Sequence, residues 1–147
     1  MGNSSIKKEK FWSGGILYNP ETNEILLQKR DINAPVNPGL WGFFGGACER
    51  GETPEGCLIR EWKEELGINA SKEQLIPLCD YLNVKRNIWR FVFYMKSDFK
   101  KSEMKLGEGE DFDWVLLNKI LGYNLTDKTR KDVKTFLHLI KHGKQRN

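Results

Sequence analysis

The chain has 147 residues, 39% of them hydrophobic and 30% charged, with 24 Lys and Arg against 20 Asp and Glu for a formal charge of +4. That balance excludes a low-complexity or disordered chain, and the length suits one domain, residues 1–147, with a real core. No apolar run reaches the roughly 20 residues of a membrane helix, and three cysteines without CxxC spacing point to a reducing, cytoplasmic setting rather than a disulfide framework.

In chain order, residues 1–9 are expected to be flexible. They hold no signal-peptide apolar segment, and Ile6 stands where a myristoylation signal has Ser or Thr. Phe11 to Tyr18 and Glu24 to Lys29 predict strands joined by the turn-rich NPETN. RDINAPVNPG predicts a surface loop near a ligand, and Leu40 to Cys48 (LWGFFGGAC) a buried strand running into a glycine turn. A helix follows, with Thr53 as cap, Pro54 in its first turn and Gly67 as its stop. Its apolar face carries Leu58, Ile59, Trp62 and Leu66, and an adjoining sector carries Glu61, Glu64 and Glu65, with Cys57 there as a small packing residue.

Gln74 to Leu82 and Ile88 to Lys96 predict a hairpin around NVKRN, and Asp113 to Leu117 a short strand. Thr126 to Lys141 predicts an amphipathic helix whose stripe is Val133, Phe136, Leu137 and Ile140. The basic tail, residues 142–147 after Lys141, reads as a solvated helix end favoured by the helix dipole, so nucleic acid is not expected as a partner. His138 and His142 stand at i,i+4 without an HExxH, and no zinc site is expected there.

Three glutamates within one helical turn, with no cation between them, repel one another. A divalent cation removes that cost, and an oxygen-only donor set points to Mg²⁺ or Mn²⁺ rather than zinc. The whole stretch from Gly46 to Ile68, GACERGETPEGCLIREWKEELGI, resembles the signature of the Nudix hydrolases, G-x5-E-x7-R-E-U-x-E-E-x-G-U with U bulky and apolar. The matches are Gly46, Glu52, Arg60, Glu61, Glu64, Glu65 and Gly67, with Trp62 and Ile68 at the apolar positions. Seven fixed matches have odds on the order of 10⁻⁹ to 10⁻⁸ per start position at average residue usage. Trp62 departs from the aliphatic residue usual in the family, a difference of packing.

The resemblance implies an α/β fold, a Nudix-type α/β/α sandwich with a mixed sheet, a carboxylate-bearing helix after a glycine loop, and a C-terminal helix. It implies Mg²⁺, or Mn²⁺, held by Glu61, Glu64, Glu65 and the Gly45 carbonyl. Arg60 and Glu52 are the orienting pair, and Gly46 and Gly67 are supporting positions. Many members draw a further glutamate from a later loop, as ligand or general base; Glu108 in LGEGEDFDW matches that placement best, with Glu110 beside it and Glu64 as the alternative base. Candidate substrate contacts are Arg30, Trp41 and Arg90. Phe11, Trp12, Trp89 and Phe91 are further stacking candidates, and Lys85 and Arg86 further cations.

The activity implied is pyrophosphate cleavage in a small-molecule nucleotide, a nucleoside triphosphate such as oxidised dGTP giving the monophosphate and pyrophosphate. A nucleotide sugar or ADP-ribose is the alternative substrate, a non-catalytic nucleotide sensor the alternative class, and RNA decapping a third reading. Many members are homodimers, although no face of this sequence is marked for it.

Overall fold

The computed structural model describes residues 10–106 and 111–143. Seven strands form one mixed sheet: β1 (Phe11–Asn19), β2 (Glu24–Lys29), β3 (Trp41–Gly42), β4 (Phe44–Ala47), β5 (Ile76–Asn83), β6 (Ile88–Lys96) and β7 (Asp111–Leu116). The helices are α1 (Pro54–Leu66) and α2 (Asp127–Gly143). β1 runs parallel to β6 from Phe11 to Tyr18, and the other strand pairings are antiparallel. Among the described residues no helix is long and apolar enough to cross a membrane.

The opposite edge of β1 is shared. It pairs with β2 only at Tyr18 and Asn19, and with β4 from Trp12 to Gly15. Strands β1 and β2 therefore diverge, and the segment from Trp41 to Ala47 fills the wedge between them. That corrects the single strand expected over Leu40 to Cys48. The segment breaks at Phe43 because its first half pairs with β2 and its second half with β1.

Alternation along the strands sends successive side chains to opposite faces. Leu17 and Leu26 pack with Leu58, Trp62 and Leu66 of α1. Ile16, Tyr18, Ile25 and Leu27 pack with Val133 and Phe136 of α2. The result is the α/β/α sandwich expected. Trp62 is fully buried, and its Nε1 donates to the Phe44 carbonyl at 3.1 Å, so the unusual indole is satisfied at both its apolar body and its polar tip.

Element ends differ by a few residues for local reasons. Gln74 is spent on a cap, its Oε1 accepting from Ser71 N at 2.9 Å, so β5 begins at Ile76. β7 begins at Asp111, since its register with β2 runs from Lys29 to Glu24. Thr126 stands outside α2 as its cap, accepting from Thr129 N at 3.1 Å.

Candidate active site

Helix α1 starts where Thr53 Oγ1 accepts from Gly56 N at 3.0 Å, and stops at Gly67, whose φ of 71° is the left-handed conformation that favours glycine. Those two ends fix which side chains project toward the glycine strand β4. Arg60 is the hub. Its Nε and Nη2 donate to Glu52 at 2.7 and 2.9 Å, a two-pronged pair, and Nη2 also reaches the Ala47 carbonyl at 3.2 Å. Its Nη1 lies 3.4 Å from Glu61 Oε1 and 3.3 Å from Glu64 Oε2. The guanidinium beside it holds the Glu52 carboxyl below the usual carboxylate range, helped by the Glu49 amide that donates to Oε1 at 2.7 Å. Arg60 is in turn held more firmly protonated, first by its bond to Glu52. A planar fork–fork pair of this kind restrains direction more than it stabilises.

The three box glutamates have unequal surroundings. Glu65 is buried at 5% exposure, Glu61 is 15% exposed at its side chain, and Glu64 is 58% exposed. The even sector expected from helical spacing is therefore graded, from Glu65 inside to Glu64 in solvent. Gly46 is needed for the Glu61 end of this gradient: a Cβ there would come within 2.5 Å of the Glu61 carboxylate. Gly45 pairs with Gly14, and a Cβ on it would meet the Ser13 and Gly14 backbone. Cys57 is fully buried, and its Sγ lies 3.5 Å from the Gly46 carbonyl. Burial, with the Glu52 charge adding to it, pushes its thiol up to about 12, consistent with the packing role expected of it.

The donor set suits a hard divalent cation. Two carboxylates of one helical turn converge on a single guanidinium nitrogen, so the cluster is arranged around positive charge, and its donors are oxygens. Among the described residues no three metal-capable side chains meet at one point. Arg60 lies between two of them, and Glu108 and Glu110 fall outside the described residues.

A cavity of about 620 Å³ opens on the other side of the wedge. Trp12, Gln28, Arg30, Asn83, Arg90 and Thr129 are among its lining residues, with Lys85, Arg86 and Lys128 also on its wall. Arg30 is anchored there, its Nε donating to the Val36 carbonyl at 2.7 Å. Arg90 stacks over the Trp12 ring at 4.1 Å and donates from Nε to Asp132 Oδ2 at 2.8 Å. Asp132 is fully buried and also accepts from the Tyr81 hydroxyl at 2.7 Å. Desolvation, then that bond, raises the Tyr81 phenol above its ordinary range. Trp41, expected among the substrate contacts, does not line this cavity; its ring stands edge-on to Tyr123 with centroids 5.4 Å apart. His138 and His142 lie on the exposed end of α2 with ring centroids 4.1 Å apart and planes tilted by 43°.

The NUDIX domain model matches residues 13–139. The chain belongs to the Nudix family. It is 33% identical over 113 residues to the 8-oxo-dGTP diphosphatase of Escherichia coli K12, covering 77% of this chain and 82% of that protein. It is 31% identical over 119 residues to the nucleoside triphosphatase NudI of Escherichia coli O17:K52:H18, covering 74% of this chain and 84% of the relative. Among solved structures, the MutT NUDIX hydrolase from Burkholderia pseudomallei has a TM-score of 0.69 at 27% identity, over 86% of this chain and 97% of that one. A mutT/nudix family protein from Listeria innocua has a TM-score of 0.76 over 93% and 97%, and at 22% identity shows likeness of fold alone. This Nudix protein is accordingly a pyrophosphohydrolase, with its box motif on the α1 side and its cavity flanked by α2.

Sequence reasoning missed Asp132, Gln28 and Asn83. For Asp132 a signal existed: Thr129, Asp132, Val133 and Phe136 follow i, i+3, i+4, i+7, and all four are buried. An acid on that stripe requires a cationic partner, which Arg90 supplies.

Proposed function

We propose that this Nudix hydrolase cleaves nucleoside triphosphates, oxidised dGTP among them, to the monophosphate and pyrophosphate in a Mg²⁺-dependent reaction. The observation that carries this reading is the Arg60 hub, which ties Glu52, Glu61 and Glu64 to one helix face beside the glycine strand. The names of the two curated relatives, an 8-oxo-dGTP diphosphatase and a nucleoside triphosphatase, support the substrate class.

Glu61, Glu64, Glu65 and the Gly45 carbonyl would hold the metal, which when bound neutralises phosphate oxygens and lowers the pKa of a water. The chain's own work is positioning. Arg60 fixes the direction of the carboxylates, Gly46 leaves room for Glu61, and Gly67 ends the helix so that Glu64 and Glu65 stay in its last turn. Glu64, the most exposed box carboxylate, is open to take the proton of the attacking water; Glu108 is the other candidate for that role. Water attacks a phosphorus, the P–O–P bond breaks, and pyrophosphate leaves. Arg30 and Arg90 would bind substrate at the cavity. Three free cysteines support a reducing, cytoplasmic location.

The test is pyrophosphate release, with and without Mg²⁺, over a panel of nucleoside triphosphates, oxidised dGTP, ADP-ribose and nucleotide sugars. Mg²⁺-dependent release from triphosphates is the expected result. Cleavage confined to ADP-ribose or nucleotide sugars would replace the substrate class, and silence across the panel in a folded sample would favour a nucleotide sensor.

A further inference from the structure

Strands β1, β6 and β5 are neighbours, and Trp12, Arg90 and Tyr81 stand in one row across them. Arg90 is in register with Trp12 on one side and with Tyr81 on the other. Residues paired in this way project from one face of a sheet, here the face toward α2. Asp132 of α2 meets this row and divides its carboxylate between two of the three. Its Oδ2 accepts from Arg90 Nε at 2.8 Å and its Oδ1 from the Tyr81 hydroxyl at 2.7 Å, with Cys79 Sγ 3.8 Å from Oδ1. Lys131, on the same helix, lies 3.9 Å from the centre of the Tyr81 ring. Arg90 is thus held twice, by Asp132 at Nε and by the Trp12 ring 4.1 Å from its guanidinium. Among the described residues its side chain makes no other hydrogen bond, so its terminal nitrogens are the donors left for a ligand in the cavity it lines. Asp132 is fully buried, Arg90 is 8% exposed, and neither Asp132 nor Tyr81 lines the cavity. A buried ion pair is commonly no more stabilising than apolar side chains of the same volume, so stability alone does not call for one here.

Resting on the nucleotide-hydrolase reading above, we propose that Asp132 and Tyr81 are positioning residues that fix the Arg90 guanidinium against Trp12, so that its terminal nitrogens meet the nucleotide in a set direction. Neither residue touches the ligand, and both act through Arg90. An arginine ordered before the ligand arrives loses little further rotamer freedom on binding, and the saving appears as affinity. The box carboxylates project from α1, across the sheet from this row. Loss of the device therefore weakens substrate and transition state alike, which raises KM and leaves kcat.

The test is calorimetric binding of dAMP, dCMP, dGMP, dTMP and 8-oxo-dGMP to the full chain in Mg²⁺, with kcat and KM measured on the triphosphate of the tightest binder. Tyr81→Phe deletes one hydroxyl and keeps the ring. It is expected to weaken binding about fivefold and to raise KM by the same factor, with kcat within about twofold of wild type. Asp132→Asn cannot accept from both partners through carboxylate oxygens, and a loss of about tenfold or more is expected. The decisive comparison uses Arg90→Met with Asp132→Asn, which removes both charges of the pair and leaves neither buried alone. In that background Tyr81→Phe is expected to change affinity by less than about twofold, because the group it positions is gone. An equal loss from Tyr81→Phe with and without the pair means that the hydroxyl acts by packing alone, and overturns the proposal. Wild-type affinity in Tyr81→Phe, a fall in kcat with unchanged KM, or no binding of any monophosphate by wild type does the same. Where circular dichroism shows that Asp132→Asn does not fold, Tyr81→Phe and its comparison decide. Turnover reports on the hydrolase reading separately: binding that depends on Tyr81 through Arg90, in a protein without turnover, sinks that reading and leaves the positioning intact.

Discussion

Gly46→Ala separates geometry from charge at the candidate site, because it removes no functional group. The added methyl would come within 2.5 Å of Cδ and Oε2 of Glu61, with ordinary contact beginning near 3.4 Å. The carboxylate must therefore retreat by about 1 Å before normal van der Waals separation returns. Glu61 is the far end of a flexible side chain, so the fold absorbs the change at about 1–3 kcal/mol, the usual range for overpacking. Activity is less tolerant, since about 1 Å of misplacement in a positioned group costs on the order of 100-fold. The assay is kcat for pyrophosphate release in Mg²⁺, with a thermal melt alongside. Gly122→Ala is the control, as nothing lies within 4 Å of its new methyl. A Gly46→Ala enzyme with wild-type kcat would refute the claim that Glu61 must stand where this glycine lets it stand.

Asp132→Ala leaves Arg90 buried without its carboxylate partner, and urea unfolding is expected to show a loss of about 3–5 kcal/mol. A loss below about 1 kcal/mol would mean the pair is not buried as described. Burial pushes the thiols of both Cys57 and Cys79 up to about 12, so both are protonated and unreactive at pH 8. Mass spectrometry after brief alkylation is expected to find Cys48 labelled first, and rapid labelling of Cys57 would contradict its packing. Because the folded carboxyl of Glu52 sits below the ordinary glutamate value of 4.5, its contribution to stability is fully present above that pH and lost as pH falls through the lower folded value. Urea midpoints from pH 6 down to pH 3 are expected to fall less steeply in Glu52→Gln than in wild type, and parallel slopes would remove Glu52 from the ion-pair account.

The part of this molecule that can be read in its sequence is the part whose constraints are local. Thr53, Pro54 and Gly67 bound α1 through backbone chemistry within a few residues, and the observed helix runs from Pro54 to Leu66 between them. Short β-branched, aromatic and apolar runs next to turn residues, EILLQK and IWRFVFYMK, likewise set the strands at Glu24–Lys29 and Ile88–Lys96. What escaped were features made by residues distant in the chain. The break at Phe43 depends on β1 and β2 diverging, which no local window contains. The burial of Glu65 depends on where α1 docks, since helical spacing alone gives Glu61, Glu64 and Glu65 one shared sector. The pairing of Arg90 with Asp132 could not be read because the two lie 42 residues apart. Trp41 and Trp12 are alike as residue types, and the wedge turns one against Tyr123 and the other to the cavity wall.

If the box carboxylates carry the hydrolysis, Glu64→Gln removes most of it. Glu64 is 58% exposed and its described side-chain bonds run to Arg60, so the substitution removes a charge at nearly constant shape without opening the core. Pyrophosphate release from a nucleoside triphosphate in Mg²⁺ is predicted to fall by most of its wild-type rate, with the thermal melt unchanged to within a few degrees. A folded Glu64→Gln enzyme that turns over substrate at the normal rate would contradict the assignment of the site.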